Sequence, residues 1–202
     1  MIGAVTTGAT TAHADECTDV EVIAVRGTSE RGAPIGETLK PIVENVVDGA
    51  KAKQQTVTTY GLPYAAAAMS LTSPDQGTSM LAQRVTSRAQ ACPSMEFVLL
   101  GYSQGAVVVS DALSGKAFGF APPEIPASLT DRIGAVVLYG NPYFRAGKSW
   151  DRGTAVQRNP GIGSFYPRNP LAMRNYAGVL ADYCNAGDFA CQSKPVSGAD
   201  GH

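Results

Sequence analysis

Residues Glu96–Leu113 read EFVLLGYSQGAVVVSDAL, and this stretch decides the fold. Its opening, EFVLL, is a continuous apolar run, as expected of a strand covered on both faces. Gln104 to Leu113 follows at once as an apolar helix. Between them stands Gly101-Tyr102-Ser103-Gln104-Gly105, a G-x-S-x-G pattern. A strand that turns abruptly into a helix strains the corner residue and brings the positions two before and two after into collision. Glycine at both positions removes the collision and leaves the serine hydroxyl at the strand end. The helix start beneath it directs backbone N–H groups and a positive dipole end at developing negative charge. Ser103 is therefore the candidate nucleophile.

Working outward, Thr18–Val25 (TDVEVIAV) alternates and then turns apolar on both faces, predicting a strand. The polar loop RGTSERG, Arg26–Gly32, lies at its carboxyl end. Helical spacing runs from about Pro34 to Lys53, and Thr56–Tyr60 reads as a second strand. An apolar connection, Tyr60–Ser73, leads to an amphipathic helix over Asp75–Ala91 that Pro93 ends. Further strands are expected at Ile133–Tyr139 and Gly178–Cys184, with an irregular, Gly/Pro/Asn-rich excursion over Asn141–Pro170. Strands separated by helices predict an α/β fold, a parallel sheet flanked on both faces. The 202 residues suffice for one well-buried domain.

Sixteen basic and 17 acidic side chains give a net charge of -1 with no basic block. That argues against a nucleic-acid partner and against a polybasic membrane anchor. No apolar run approaches the roughly 20 residues of a spanning helix. Residues 1–14, MIGAVTTGATTAHA, are small and uncharged and end in an A-x-A pattern. They read as the remnant of a secretory leader, leaving residues 15–202 as the domain and an extracellular location as the expectation. Cys17, Cys92, Cys184 and Cys191 fit an oxidising compartment. Three pairings are possible, and Cys184 with Cys191 bracket a loop short enough for an easy local bridge. Zinc is disfavoured because neither pair has C-x-x-C spacing and no histidine clusters near them.

A serine hydroxyl needs a base to take its proton. The chain has two histidines, and His13 falls in the leader, so His202, the final residue, is the candidate base. The acid should lie between serine and histidine in chain order, after a late strand. Asp188, in Cys184-Asn185-Ala186-Gly187-Asp188-Phe189-Ala190-Cys191, satisfies this on a loop that a bridge would hold still. Asp182 lies within the expected strand and Asp200 is two residues from His202, both poorer geometries. Tyr64 and Leu71 of the apolar connection, with Phe189, are candidates to line an acyl groove.

The runs RGTSE after the first strand, GYSQGAVV after the central one and CNAGDFAC near the end together resemble the cutinase family, whose relatives include acetylxylan esterases. The resemblance spans about Cys17 to His202. It implies a small lidless α/β-hydrolase, three layers α/β/α about a mainly parallel five-stranded sheet. Ser103, His202 and Asp188 take the triad roles by resemblance. Thr28 and the Gln104 N–H match the oxyanion hole, and Cys17–Cys92 and Cys184–Cys191 match the family's bridges. It further implies a monomer acting without metal or organic cofactor on lipidic or polyester esters. Deacetylation of xylan, and a catalytically silent wall-binding protein, are the alternatives.

Overall fold

The computed structural model describes residues 17–68, 70, 72–115, 124–155, 160–164 and 172–193. Along the chain run β1 (Val20–Val25), α1 (Lys40–Ala52), β2 (Val57–Gly61), α2 (Thr72–Ala91), β3 (Glu96–Tyr102), α3 (Gln104–Ser114), β4 (Ile133–Tyr139), β5 (Asp151–Arg152) and β6 (Leu180–Tyr183). Among the described residues these strands form one sheet of order β2-β1-β3-β4-β6-β5, with every adjacent pair parallel.

Side-chain alternation divides the core. Ile23, Val25, Phe97, Leu99, Val136 and Leu138 point to one face, where Leu81 and Val85 of α2 and Val108, Val109 and Ala112 of α3 cover them. Val20, Val22, Ala24 and Leu100 point to the other, under Leu39 and Val43 beside and within α1. The result is three layers, α/β/α. Glu21 is fully buried on the α2 face, where Arg84 and Arg88 of α2 supply its counter-charge. An unpaired carboxylate could not remain there.

Four expectations need correcting. The sheet has six strands, not five, because the two-residue β5 adds to the edge of β6. The first helix begins at Lys40, not near Pro34. Gly36 adopts a left-handed φ of 92° and its N–H bonds the Gly32 carbonyl, so residues before Leu39 make a hydrogen-bonded turn; Pro41 then sits in the first helical turn. The second helix starts earlier than expected, at Thr72, and the last strand is shorter, Leu180–Tyr183. Both bridges, Cys17–Cys92 and Cys184–Cys191, are formed, so all four thiols are in disulfides.

Because the sheet is parallel, β1, β3, β4 and β6 all end at one edge. Loops leaving that edge carry the candidate site.

Candidate active site

Ser103 joins β3 to α3 with φ 51° and ψ −115°, a strained conformation for a non-glycine residue. Its N–H donates to the Tyr139 carbonyl at 2.9 Å, and its carbonyl accepts from Ala106 at 2.9 Å. The hydroxyl does not cap the helix it precedes and has no hydrogen-bond partner among the described residues. The flanking glycines are sterically required. A Cβ on Gly101 would lie 2.8 Å from the Ala106 Cα, and one on Gly105 would fall on the Val25 carbonyl, 2.7 Å from the Arg26 oxygen. The first turn of α3 thus rests directly on the end of β1.

That contact sets the Arg26–Glu30 loop beside the serine. Gly27 lies under the Tyr102 ring and close to the Ser103 Cβ. Within the loop, the Gly27 N–H donates to Glu30 Oε2 at 2.8 Å, the Ser29 N–H to the Ala66 carbonyl at 2.8 Å and the Glu30 N–H to the Gly27 carbonyl at 3.3 Å. The Thr28 N–H has no acceptor among the described residues, and Thr28 is exposed. The Gln104 N–H, in the first turn of α3, likewise has none there. The two residues singled out as oxyanion donors therefore carry open N–H groups on the two segments flanking Ser103.

Asp188 is 4% exposed. Its Oδ1 accepts from the Ala190 N–H at 2.8 Å and the Cys191 N–H at 3.3 Å, while its own carbonyl accepts from Gln192 at 2.7 Å. Bridge and hydrogen bonds together fix this carboxylate. Tyr102 links it to the elbow: the Tyr102 hydroxyl is pushed above its ordinary pKa first by burial, then by the negative charges of Glu30 and Asp188. Both carboxylates thus lie within electrostatic reach of the residue preceding the serine. Asp182 has a different place, buried on β6 and accepting from Asn141 Nδ2 at 2.9 Å.

Of the expected groove residues, Phe189 is 58% exposed beside Asp188. Tyr64 needs correcting. It is 2% exposed, its hydroxyl donates to the Arg26 carbonyl at 2.6 Å, and the Arg26 guanidinium lies over its ring at 5.3 Å. It therefore faces the interior behind the Thr28 loop. Leu71, His202 and His13 lie outside the described residues. Sequence reading missed Arg26, Glu30 and the Gln104 side chain, whose amide bonds Ser73 and the Ala67 carbonyl. Two opposite charges bracketing Gly27–Ser29 were the available signal.

A parallel sheet with a strained serine between strand and helix, flanked by open N–H donors, defines the α/β-hydrolase class. The family model described as Cutinase matches residues 16–202, and the chain belongs to the cutinase family. It is 33% identical over 186 residues to a cutinase of Kineococcus radiotolerans, covering 92% of this chain and 55% of that one. It is 33% identical over 197 residues to the probable carboxylesterase Culp3 of Mycobacterium tuberculosis, covering 95% and 64%. Its fold matches an iodinated complex of acetyl xylan esterase with a TM-score of 0.74 at 25% identity, over 90% of this chain and 89% of that one. The chain spans about 55–64% of the length of the two curated relatives.

Proposed function

We propose that this chain is a secreted, monomeric carboxylic ester hydrolase acting through a Ser103 acyl-enzyme. The observation that carries this is the strained Ser103, whose hydroxyl does not cap its helix, set between the N–H groups of Thr28 and Gln104 that have no acceptor among the described residues.

In the proposed mechanism, Ser103 Oγ attacks the ester carbonyl carbon as its proton passes to the imidazole of His202. Thr28 and Gln104 N–H groups take the charge that develops on the carbonyl oxygen; one such donor is worth about 3–4 kcal/mol at the transition state. Asp188 orients the imidazole and stabilises its charged form. The imidazolium proton goes to the departing alkoxide, leaving the acyl group on Ser103. Water, deprotonated by the same imidazole, then frees the carboxylic acid and restores the serine.

Phe189, with Ile162 (37% exposed, its N–H bonded to the Ala190 carbonyl), gives the acid loop an apolar rim suited to acyl chains or polyesters. The fold likeness to an acetyl xylan esterase favours acetyl esters as the second reading. Two disulfides fit an oxidising, extracellular setting, and no helix among the described residues is long and apolar enough to cross a membrane. The deciding experiment is turnover of nitrophenyl esters of increasing chain length beside acetylated xylan and a polyester film. A preference for four or more carbons supports the first reading, and activity confined to acetyl groups supports the second. No turnover of any of them rejects both.

A further inference from the structure

The Thr28 loop is fastened by hydrogen bonds involving Arg26, Glu30 and Tyr64. Arg26 is only 8% exposed although its guanidinium is always charged. It spends that charge on one short segment, donating from Nη2 to the carbonyls of Tyr64 at 2.7 Å and Ala65 at 3.1 Å, and from Nη1 to that of Leu62 at 3.4 Å. The segment answers: the Tyr64 hydroxyl donates to the Arg26 carbonyl at 2.6 Å, and the Ala66 carbonyl accepts from Ser29. One residue further on, the Ala67 carbonyl accepts from Gln104 Nε2 at 3.1 Å, and Ser73 Oγ joins the Ala67 N–H to Gln104 Oε1.

Residues 62–67 therefore bond at one end to the loop that carries Thr28 and at the other to the residue that carries the second donor. Glu30 closes the arrangement from the far side. Its carboxylate takes the Gly27 N–H at 2.8 Å and the Thr38 N–H at 2.6 Å, tying the loop to the turn before α1. With Gly27, Ser29 and Glu30 N–H groups all engaged, Thr28 is left as the open donor.

We propose that residues 62–67 are a strut that sets the spacing of the two oxyanion donors, with Arg26, Glu30 and Tyr64 as positioning residues. The proposal rests on the ester-hydrolase reading above. Donors must meet the oxyanion within a few tenths of an ångström, and a misplacement of about 1 Å costs about 100-fold. Loosening the strut should thus act on the transition state and spare ground-state binding.

The test compares wild type with Arg26→Lys, Glu30→Gln and Tyr64→Phe, each checked for fold by circular dichroism. Arg26→Lys cannot span three carbonyls. In Glu30→Gln the amide nitrogen faces one of the two N–H donors. Tyr64→Phe deletes a single bond and keeps the ring. Using nitrophenyl butyrate, kcat should fall about 10- to 100-fold in the first two and about 3- to 10-fold in the third, with KM within about threefold. The Ki of an alkyl boronic acid, which makes a tetrahedral adduct on the serine, should rise in parallel with the loss of kcat/KM. If Arg26→Lys does not fold, the other two variants carry the test. Folded variants with wild-type kcat and boronate Ki, or with losses confined to KM, overturn the strut alone. A wild type that neither turns over the ester nor binds the boronate rejects the hydrolase reading and the strut with it.

Discussion

Gly105→Ala separates what the elbow needs from what glycine loses in general. The added methyl would fall on the Val25 carbonyl, 2.6 Å from its carbon and 2.7 Å from the Arg26 oxygen, where ordinary contact is 3.4–4 Å. Both neighbours are backbone of β1 and the loop it leads into, and β1 is buried throughout between β2 and β3. They cannot turn away as a side chain would. The shortfall of about 1 Å must be met by lifting α3 off the sheet, at a cost of about 3 kcal/mol or more. For a chain of this size that lowers Tm by about 6–12 °C. Because Gln104 rides on the same turn, kcat should fall about 100-fold. Gly49→Ala is the control, since an exposed α1 glycine with nothing within 4 Å should gain about 0.5–1 kcal/mol as alanine. Calorimetry and ester kinetics on both variants provide the assay. A Gly105→Ala protein with wild-type Tm and kcat would refute the steric reasoning.

The two disulfides should separate stability from activity. Cys17–Cys92 closes a loop of separation 75 and is worth about 4–5 kcal/mol, while Cys184–Cys191, of separation 7, is worth about 2–3 kcal/mol. Alanine pairs should show the first loss mainly in Tm and the second mainly in kcat, because only the second bridge holds the Asp188 loop; equal kcat losses would contradict this. The Tyr64 hydroxyl is pushed far above its ordinary range, chiefly by burial. The unfolded chain therefore loses this proton first, so stability is full below about pH 10 and falls as pH rises beyond it. Tyr64→Phe should soften that alkaline limb in urea titrations, with Tyr102 and Tyr139, also raised by burial, supplying the remainder; an unchanged limb would contradict it. If His202 is the base, turnover rises with pH through an apparent pKa of about 6.5–7, and His202→Ala loses about 10⁴-fold or more. Retained activity in that variant would displace His202 from its role.

What could be read from the chain was what is local. Ser103, its flanking glycines and the strand and helix around it occupy one contiguous run, Glu96–Ser114, so their pattern is legible there, although the β1 backbone that excludes a side chain at Gly105 lies elsewhere in the chain. The Asp188 loop is as compact, its two cysteines announcing the bridge that holds it. Tyr64 misled because apolar character is equally consistent with a groove wall and with burial. Its partner, Arg26, lies 38 residues away, and only the β1–β2 pairing brings them together. Arg26 and Glu30 were hidden for the same reason: a charged residue reads as solvated until the carbonyls and N–H groups it satisfies are located. The late start of α1 follows from the Gly36 turn, which helical spacing of apolar residues does not register. The two-residue β5 is shorter than any alternation that could reveal it.

Reaction of Ser103 with an organophosphonate, followed by mass spectrometry of the intact chain and of its peptides, tests the central claim most directly. One phosphonyl group per chain, located on Ser103, should appear as ester turnover disappears. Ser103→Ala should take up none and hydrolyse nothing while keeping the wild-type circular dichroism spectrum. Stoichiometric labelling at another residue, or full turnover by Ser103→Ala, would contradict the account.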